Sequence, residues 1–290
     1  PDGAGAGDRA LGGVGSVNAT ASRECPRELF KYLPETRLDV LERRVIRFTP
    51  PSALNDPREL PLKFSALASA EERTEAIRQL LPQSLRAALA EICPGVPEEA
   101  YTPEVLASLE EMLSRRLPDR IAAFENARGP QVADALKAQF NAQLGFLSLT
   151  EDPTNSLMWS FYASACKGYV LGFDAAHSWF WQGRSPSDDF RHLRQVRYAD
   201  KPPITVMTAT TAEDAFLTKA TDWEYEREWR IIRPLSEAES TERKEDYLVH
   251  LFEYPPSALK SVIVGCRASA RLVDSIRQCL ADPALAHVTL

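Results

Sequence analysis

Short strand-like segments recur along this chain at irregular intervals, with no regular strand–helix–strand beat between them. That irregularity argues against a doubly wound parallel sheet and predicts an α+β fold. Glu28-Leu29-Phe30-Lys31-Tyr32-Leu33 reads as a strand halted by Pro34, and Val45-Ile46-Arg47-Phe48-Thr49 as a second, ended by Pro50 and Pro51. Leu38 to Glu42 between them fits a short amphipathic helix. Further strands are expected at 145–150, 168–174, 195–198, 247–251 and 261–265. Helices are expected over 156–165, 212–220 and 268–280.

The character changes over about 62–143, where Ala, Leu, Glu and Arg dominate. Apolar residues recur there at helical spacing, as in Ile77, Leu80, Leu81, Leu85 and Leu89. Pro82, Pro94, Pro97, Pro118 and Pro130 punctuate the stretch, predicting three or four helices in an all-helical insertion. It carries no evident chemistry and reads as a packing or partner-docking element. Residues 1–24 open with a Gly/Ala-rich run and read as a flexible leader or linker. Residues 25–290 read as one α+β domain carrying the insertion, and the absence of an initial Met fits a piece of something larger.

Composition narrows the function classes. A net charge of -7 argues against a dedicated duplex-DNA binder, which would carry a basic field. Cys25, Cys93, Cys166, Cys266 and Cys279 lie far apart in sequence without a CxxC, and His177, His192, His250 and His287 form no metal-binding pair. No metal site is therefore expected, and the cysteines read as ordinary thiols of a reducing, cytoplasmic compartment. No segment approaches the ~20 apolar residues of a membrane span, so no membrane partner is expected.

Chemistry concentrates in Tyr225-Glu226-Arg227-Glu228-Trp229-Arg230-Ile231-Ile232. Read as a strand, the segment alternates faces, so Glu226, Glu228 and Arg230 would point the same way. Neighbouring carboxylates raise one another's proton affinity, one route to acid–base catalysis. The plainer reading is a solvated strand edge with Glu/Arg ion pairs, in which Arg230 would pair with Glu228 or Asp56. Trp159 and Tyr162 read either as core aromatics or as faces for a cationic ring. Asn55-Asp56-Pro57 reads first as a self-stabilising turn and second as a cleft rim. No P-loop or GxGxxG motif is present.

The segments Leu29-Phe30-Lys31-Tyr32, Leu54-Asn55-Asp56-Pro57, Leu147-Ser148-Leu149-Thr150-Glu151-Asp152, Leu157-Met158-Trp159-Ser160-Phe161-Tyr162-Ala163 and Trp223 through Arg230 resemble the bacterial "domain of unknown function 2971" family, over about residues 28–270. Leu54 stands where that family usually carries phenylalanine. The layout is in turn similar to the ADP-ribosyltransferase fold, a split β-sandwich that grips NAD in a cleft. In that resemblance Ser148-Leu149-Thr150 corresponds to the middle landmark and Glu226-Arg227-Glu228 to the last. Lys31-Tyr32 occupies the place of an expected Arg or His, with Arg47 as a rival.

The resemblance implies that Glu228 grips the ribose, Glu226 handles the nucleophile and Ser148 braces Glu228. Lys31 or Arg47 would meet the phosphates of NAD, and Trp159 and Tyr162 the nicotinamide. It also implies an acceptor-facing segment over about 219–225, with Trp223 and Tyr225 as contacts. The acceptor would be a protein, a nucleic acid or a small molecule. A toxin or defence role would add an antidote or regulatory protein as partner. Two classes follow: an NAD-consuming ADP-ribosyltransferase, or a catalytically inactive interaction or ligand-sensing module of the same fold. A magnesium nuclease built on Asp152, Asp174 and Glu228 is a distant third.

Overall fold

A computed structural model describes residues 24–56, 64–185, 188, 190–200, 205–244 and 247–290. The expected leader over 1–24 lies, but for its last residue, outside the described residues. The first half holds β1 (Glu28–Leu33), α1 (Asp39–Glu42), β2 (Val45–Phe48), β3 (Phe64–Ala66), α2 (Ala70–Ile92) and α3 (Pro103–Gln143). Next come β4 (Leu144–Thr150), α4 (Ser156–Tyr162), β5 (Tyr169–Asp174), β6 (Arg194–Gln195), β7 (Arg197–Tyr198) and β8 (Thr205–Val206). The chain ends with α5 (Ala212–Phe216), β9 (Thr218–Lys219), β10 (Glu228–Pro234), β11 (Ser240–Lys244), β12 (Tyr247–Glu253), β13 (Leu259–Val264) and α6 (Ala270–Leu280).

Two antiparallel sheets form the body. One is six-stranded in the order β13-β5-β1-β4-β10-β6, and the other is β11-β12-β2. Alternation along the strands sorts their side chains by face. Leu147, Leu149, Trp229 and Ile231 join Ile46, Phe48 and Phe252 of the smaller sheet and Leu272 and Ile276 of α6 in the main core. The sheets are also tied by backbone hydrogen bonds exchanged between Thr49 and Phe146.

The larger sheet opens at its centre. β1 pairs with β5 along its whole length, and β4 with β10 along its own, but β1 meets β4 only at Phe30 opposite Thr150. The Ser148 carbonyl, next to this gap, accepts a hydrogen bond from the Lys31 ammonium at 2.9 Å. A lysine side chain thus supplies a donor where the ladder has parted.

Four sequence expectations change. The insertion is not all-helical, since β3 pairs in parallel with β8, and it holds two long helices, joined through a 3-10 turn at Glu98–Ala100, rather than three or four. Pro82 lies inside α2 and Pro118 and Pro130 inside α3. Pro82 and Pro130 are exposed, where water can take up carbonyls that lose an amide partner. A seam of Ile77, Leu81, Leu85 and Leu106 holds the helices together, and a Ser69–Glu72 capping box starts α2. The single strand expected at 195–198 is broken at buried Val196, so that β6 joins β10 and β7 pairs in parallel with β9. The helix expected over 212–220 stops at Phe216, because Thr218 and Lys219 extend to pair with Arg197 and Tyr198.

The fourth change concerns the glutamates. Glu226 is not in a strand; it ends a 3-10 turn over Thr221–Glu226, and Glu228 begins β10. Arg227 between them is left-handed, at φ 42° and ψ 52°. Strand alternation therefore does not align the two carboxylates.

Candidate functional site

A cleft of about 730 Å³ open volume lies over the gap between β1 and β4. Its walls include Phe30, Lys31 and Tyr32 from β1, Ser148 and Thr150 from β4, and Tyr162 from α4. Asn55, Lys219, Glu226 and Glu228 complete the polar lining. Its rings and carbon stems come from strands and a helix, which fixes their positions.

Glu226 and Glu228 are brought together by a shared cation. The Lys219 ammonium lies 2.6 Å from Glu226 Oε2 and 3.3 Å from Glu228 Oε2. Arg230 grips Glu228 from the next same-face position of β10, with Nε donating to Oε1 at 2.8 Å and Nη2 to Oε2 at 2.9 Å. The same guanidinium donates through Nη1 to the Phe216 carbonyl at 2.8 Å and lies over the Phe146 ring. Lys219, Glu226, Glu228 and Arg230 are all at most 5 % exposed. Burial raises the proton affinity of Glu228, but Arg230, Lys219 and the hydrogen bond from Ser148 outweigh it, so the carboxyl is held below its ordinary range. The backbone amide of Glu228 donates to the Tyr198 hydroxyl at 2.8 Å.

The opposite oxygen of the Glu226 carboxylate faces Tyr162, whose hydroxyl donates to Oε1 at 2.5 Å. Burial and then the charge of Glu226 push the Tyr162 hydroxyl upward, so it remains a donor. Asn55 donates to the Tyr162 hydroxyl and, at 3.5 Å, to Glu226 Oε1. On the facing wall the Lys31 ammonium has its pKa pulled down to about 8. Burial is the main cause, opposed by Glu228 and Glu226 and aided by Arg37 and Arg47.

Of the residues singled out from sequence, Lys31, Tyr32, Ser148, Tyr162, Glu226 and Glu228 meet in this cleft. Two do not line it. Arg47 lies on β2 in the other sheet, with its guanidinium over the Tyr247 ring at 5.4 Å, because β2 pairs with β12 rather than with β1. Trp159 is turned under the cleft: its Nε1 donates to the Pro153 carbonyl at 2.9 Å and its ring meets Tyr32 edge-on. Tyr32 presents its ring to the cleft while its hydroxyl donates to the Asp152 carbonyl. Arg230 takes the Glu228 pairing, one of the two that sequence offered. Asn55 lines the cleft, and the expected Asn55-Asp56-Pro57 turn runs at Pro57 outside the described residues.

Lys219 is the residue sequence reasoning missed. Its one local signal is a lone cation shortly before the acidic pair, too common a pattern to mark a site. A second cavity, of about 820 Å³ open volume, adjoins the cleft and shares Asn55 and Tyr162 with it. Phe161, Asp222, Trp223 and Tyr225 form the rest of its wall, so the end of the 219–225 segment faces open space. The Lys219 ammonium lies 4.9 Å from the centre of the Trp223 ring, linking this wall to the buried ion cluster. Among the described residues, no cluster of His, Cys, Asp and Glu could hold a metal ion.

Comparison with known proteins adds one match. A family model described as "Protein of unknown function (DUF2971)" matches residues 158–231, a span that runs from α4 to β10. It holds Tyr162, Lys219, Glu226, Glu228 and Arg230, and it supports the family resemblance drawn from the sequence. No curated protein and no solved structure matches the chain.

Proposed function

We propose that this chain is an NAD-consuming ADP-ribosyltransferase, a reading that also gives the split sheet and its cleft a use. The observation that carries it is the placement of Glu228: a carboxylate in the wall of a ring-lined cleft, braced by Ser148, with the Lys31 ammonium on the facing strand. NAD offers planar rings, an anionic pyrophosphate and a ribose with two hydroxyls. Lys31 suits the pyrophosphate, Tyr32 and Tyr162 the rings, and Glu228 the ribose. The bond from nicotinamide nitrogen to ribose breaks with its electron pair leaving on nicotinamide, and positive charge develops on the sugar. Glu228 stabilises that charge. The acceptor's nucleophile then bonds to the sugar carbon and yields its proton to Glu226, whose Oε1 Tyr162 orients. The acceptor, whether protein, nucleic acid or small molecule, would approach through the adjoining aromatic cavity. Toxin or defence use, with an antidote partner, is consistent with such chemistry.

One observation favours a second reading, an inactive ligand-sensing module. Arg230, Lys219 and Ser148 occupy both oxygens of Glu228, and a carboxylate so engaged binds ribose only by exchanging a partner. Titration calorimetry with NAD and an assay of nicotinamide release, on wild type, Glu226→Gln and Glu228→Gln, separate the two. Release that disappears in folded Glu228→Gln supports the transferase. Binding without release, across protein, nucleic-acid and small-molecule acceptors, assigns the module. Absence of NAD binding by the wild type overturns the proposal.

A further inference from the structure

Cysteines that are remote in sequence become neighbours where β5 and β13 extend beyond their ladder. Beyond the pairing of Val264 with Tyr169, the Gly265 amide donates to the Gly168 carbonyl at 2.9 Å and the Arg267 amide to the Cys166 carbonyl at 3.0 Å. These bonds bracket residue 266 against the 166–168 turn. The approach is so close that a Cβ at Gly265 would fall 2.2 Å from the Cys166 carbonyl oxygen. In this antiparallel register Cys266 stands opposite Lys167 and diagonal to Cys166, across backbones ~4.8 Å apart. Cys166 itself is left-handed at φ 65°, as are Ser164 and Ala165, and this turns its side chain out of strand alternation. Its thiol interacts with that of Cys266. Cys266 is exposed and Cys166 partly so.

We propose that Cys166 and Cys266 form an oxidisable thiol pair whose disulfide clamps the turn that ends α4. Cys266 is the more exposed of the two and meets the oxidant first, while burial, followed by the interaction with Cys266, raises the Cys166 thiol. With a peroxide, the Cys266 sulfur attacks one oxygen, the O–O bond breaks, and one water leaves as sulfenic acid forms. The Cys166 sulfur then attacks the Cys266 sulfur: the S–S bond forms, the S–O bond breaks, and a second water leaves. Two thiols are oxidised and hydrogen peroxide is reduced to two waters.

The clamp would act on the cleft through a short path. The Ala165 and Cys166 amides donate to the carbonyls of Ser160 and Trp159, both at 3.2 Å. Tyr162, the last residue of α4, is the donor to Glu226. Fixing the turn therefore fixes the helix that carries a cleft residue. This inference does not depend on NAD chemistry.

The test treats the full chain with hydrogen peroxide, blocks remaining thiols with N-ethylmaleimide, and maps the peptides without reduction. The expected result is one dominant linked pair joining the Cys166 and Cys266 peptides, with two thiols lost from the denatured protein and both restored by dithiothreitol. Amides of 156–168 should exchange several-fold more slowly in the oxidised chain. Cys266→Ser should leave Cys166 fully alkylated. Since the wild-type map alone reads the linkage, a poorly folding variant does not void the test. Cys266 found as sulfinic acid beside alkylated Cys166, or linkage to Cys25, Cys93, Cys279 or a second chain, overturns the proposal.

Discussion

Removing the Glu228 carboxylate would leave the Lys219 and Arg230 cations buried beside an empty position, at 4 % and 3 % exposure. Breaking one side of a buried ion pair costs about 3–5 kcal/mol. Glu228→Ala should lose that much in urea unfolding, whereas Glu228→Gln, which keeps an acceptor oxygen, should lose clearly less. Equal losses would mean that the charge, which both substitutions remove, carries the whole effect and the acceptor oxygen none. The native Glu228 carboxyl is held below its ordinary range, so its contribution is complete above the unfolded value and is lost as pH falls towards the native one. Lys31 behaves in the opposite sense. Its native pKa is about 8 against 10.5, so between these values the unfolded chain binds more protons and stability rises with pH. An anionic ligand that uses the ammonium should bind fully below about pH 8 and weaken as pH rises through it. Lys31→Arg, charged throughout, should flatten that profile in NAD titrations; an unchanged profile would remove Lys31 from the phosphate role. The acidic pair was legible in sequence because two glutamates one residue apart are conspicuous. The reason they meet was not legible: a 3-10 turn, a left-handed Arg227 and Lys219 assemble them, not strand alternation.

Elements whose burial follows one period were read correctly from the chain. β1, β2, β4, β5, β12, β13 and α6 lie within a few residues of their expected places because alternation or a helical stripe marks them. Two-residue strands such as β6, β7 and β9 carry no period, and only their partners define them. Proline misled in the insertion because local propensity was outweighed by the contact between two helices. The α2–α3 seam is a hydrophobic cluster separate from the main core, while the end of α3 joins Phe146 and Phe216 through Ala133. Stability along the arm should therefore be graded. Leu81→Ala should cost about 2–5 kcal/mol within the arm. Hydrogen exchange should show α2 and the first half of α3 losing protection while β4, β5 and β10 keep theirs. Loss of protection spread evenly through the sheets would show that the arm and body unfold as one unit.

At the scale of the whole molecule, the two sheets and the cleft share one strand. β4 packs on β2 through one face, lines the cleft through the other, and bonds to β10 along its length. Gly145, near its start, sits where the layers come closest. An added Cβ would lie 2.5 Å from Leu235 Cδ2 and 2.8 Å from Phe48 Cβ. The Leu235 methyl can swing aside, but Phe48 Cβ is anchored to β2, so relief has to come from strand separation. Gly145→Ala should therefore destabilise by about 1–3 kcal/mol, the usual cost of overpacking. The next residue, Phe146, lines the cleft, exchanges backbone hydrogen bonds with Thr49 and carries the Arg230 guanidinium over its ring. A shift of β4 away from β2 is thereby transmitted to the ion pair that fixes Glu228. The expected outcome is a lower urea midpoint with an unchanged slope, together with weaker binding of NAD, or of any ligand found for the cleft. Lower stability with unchanged affinity would show that the layers move apart without disturbing the cleft, and would separate the packing role of β4 from its role in the site.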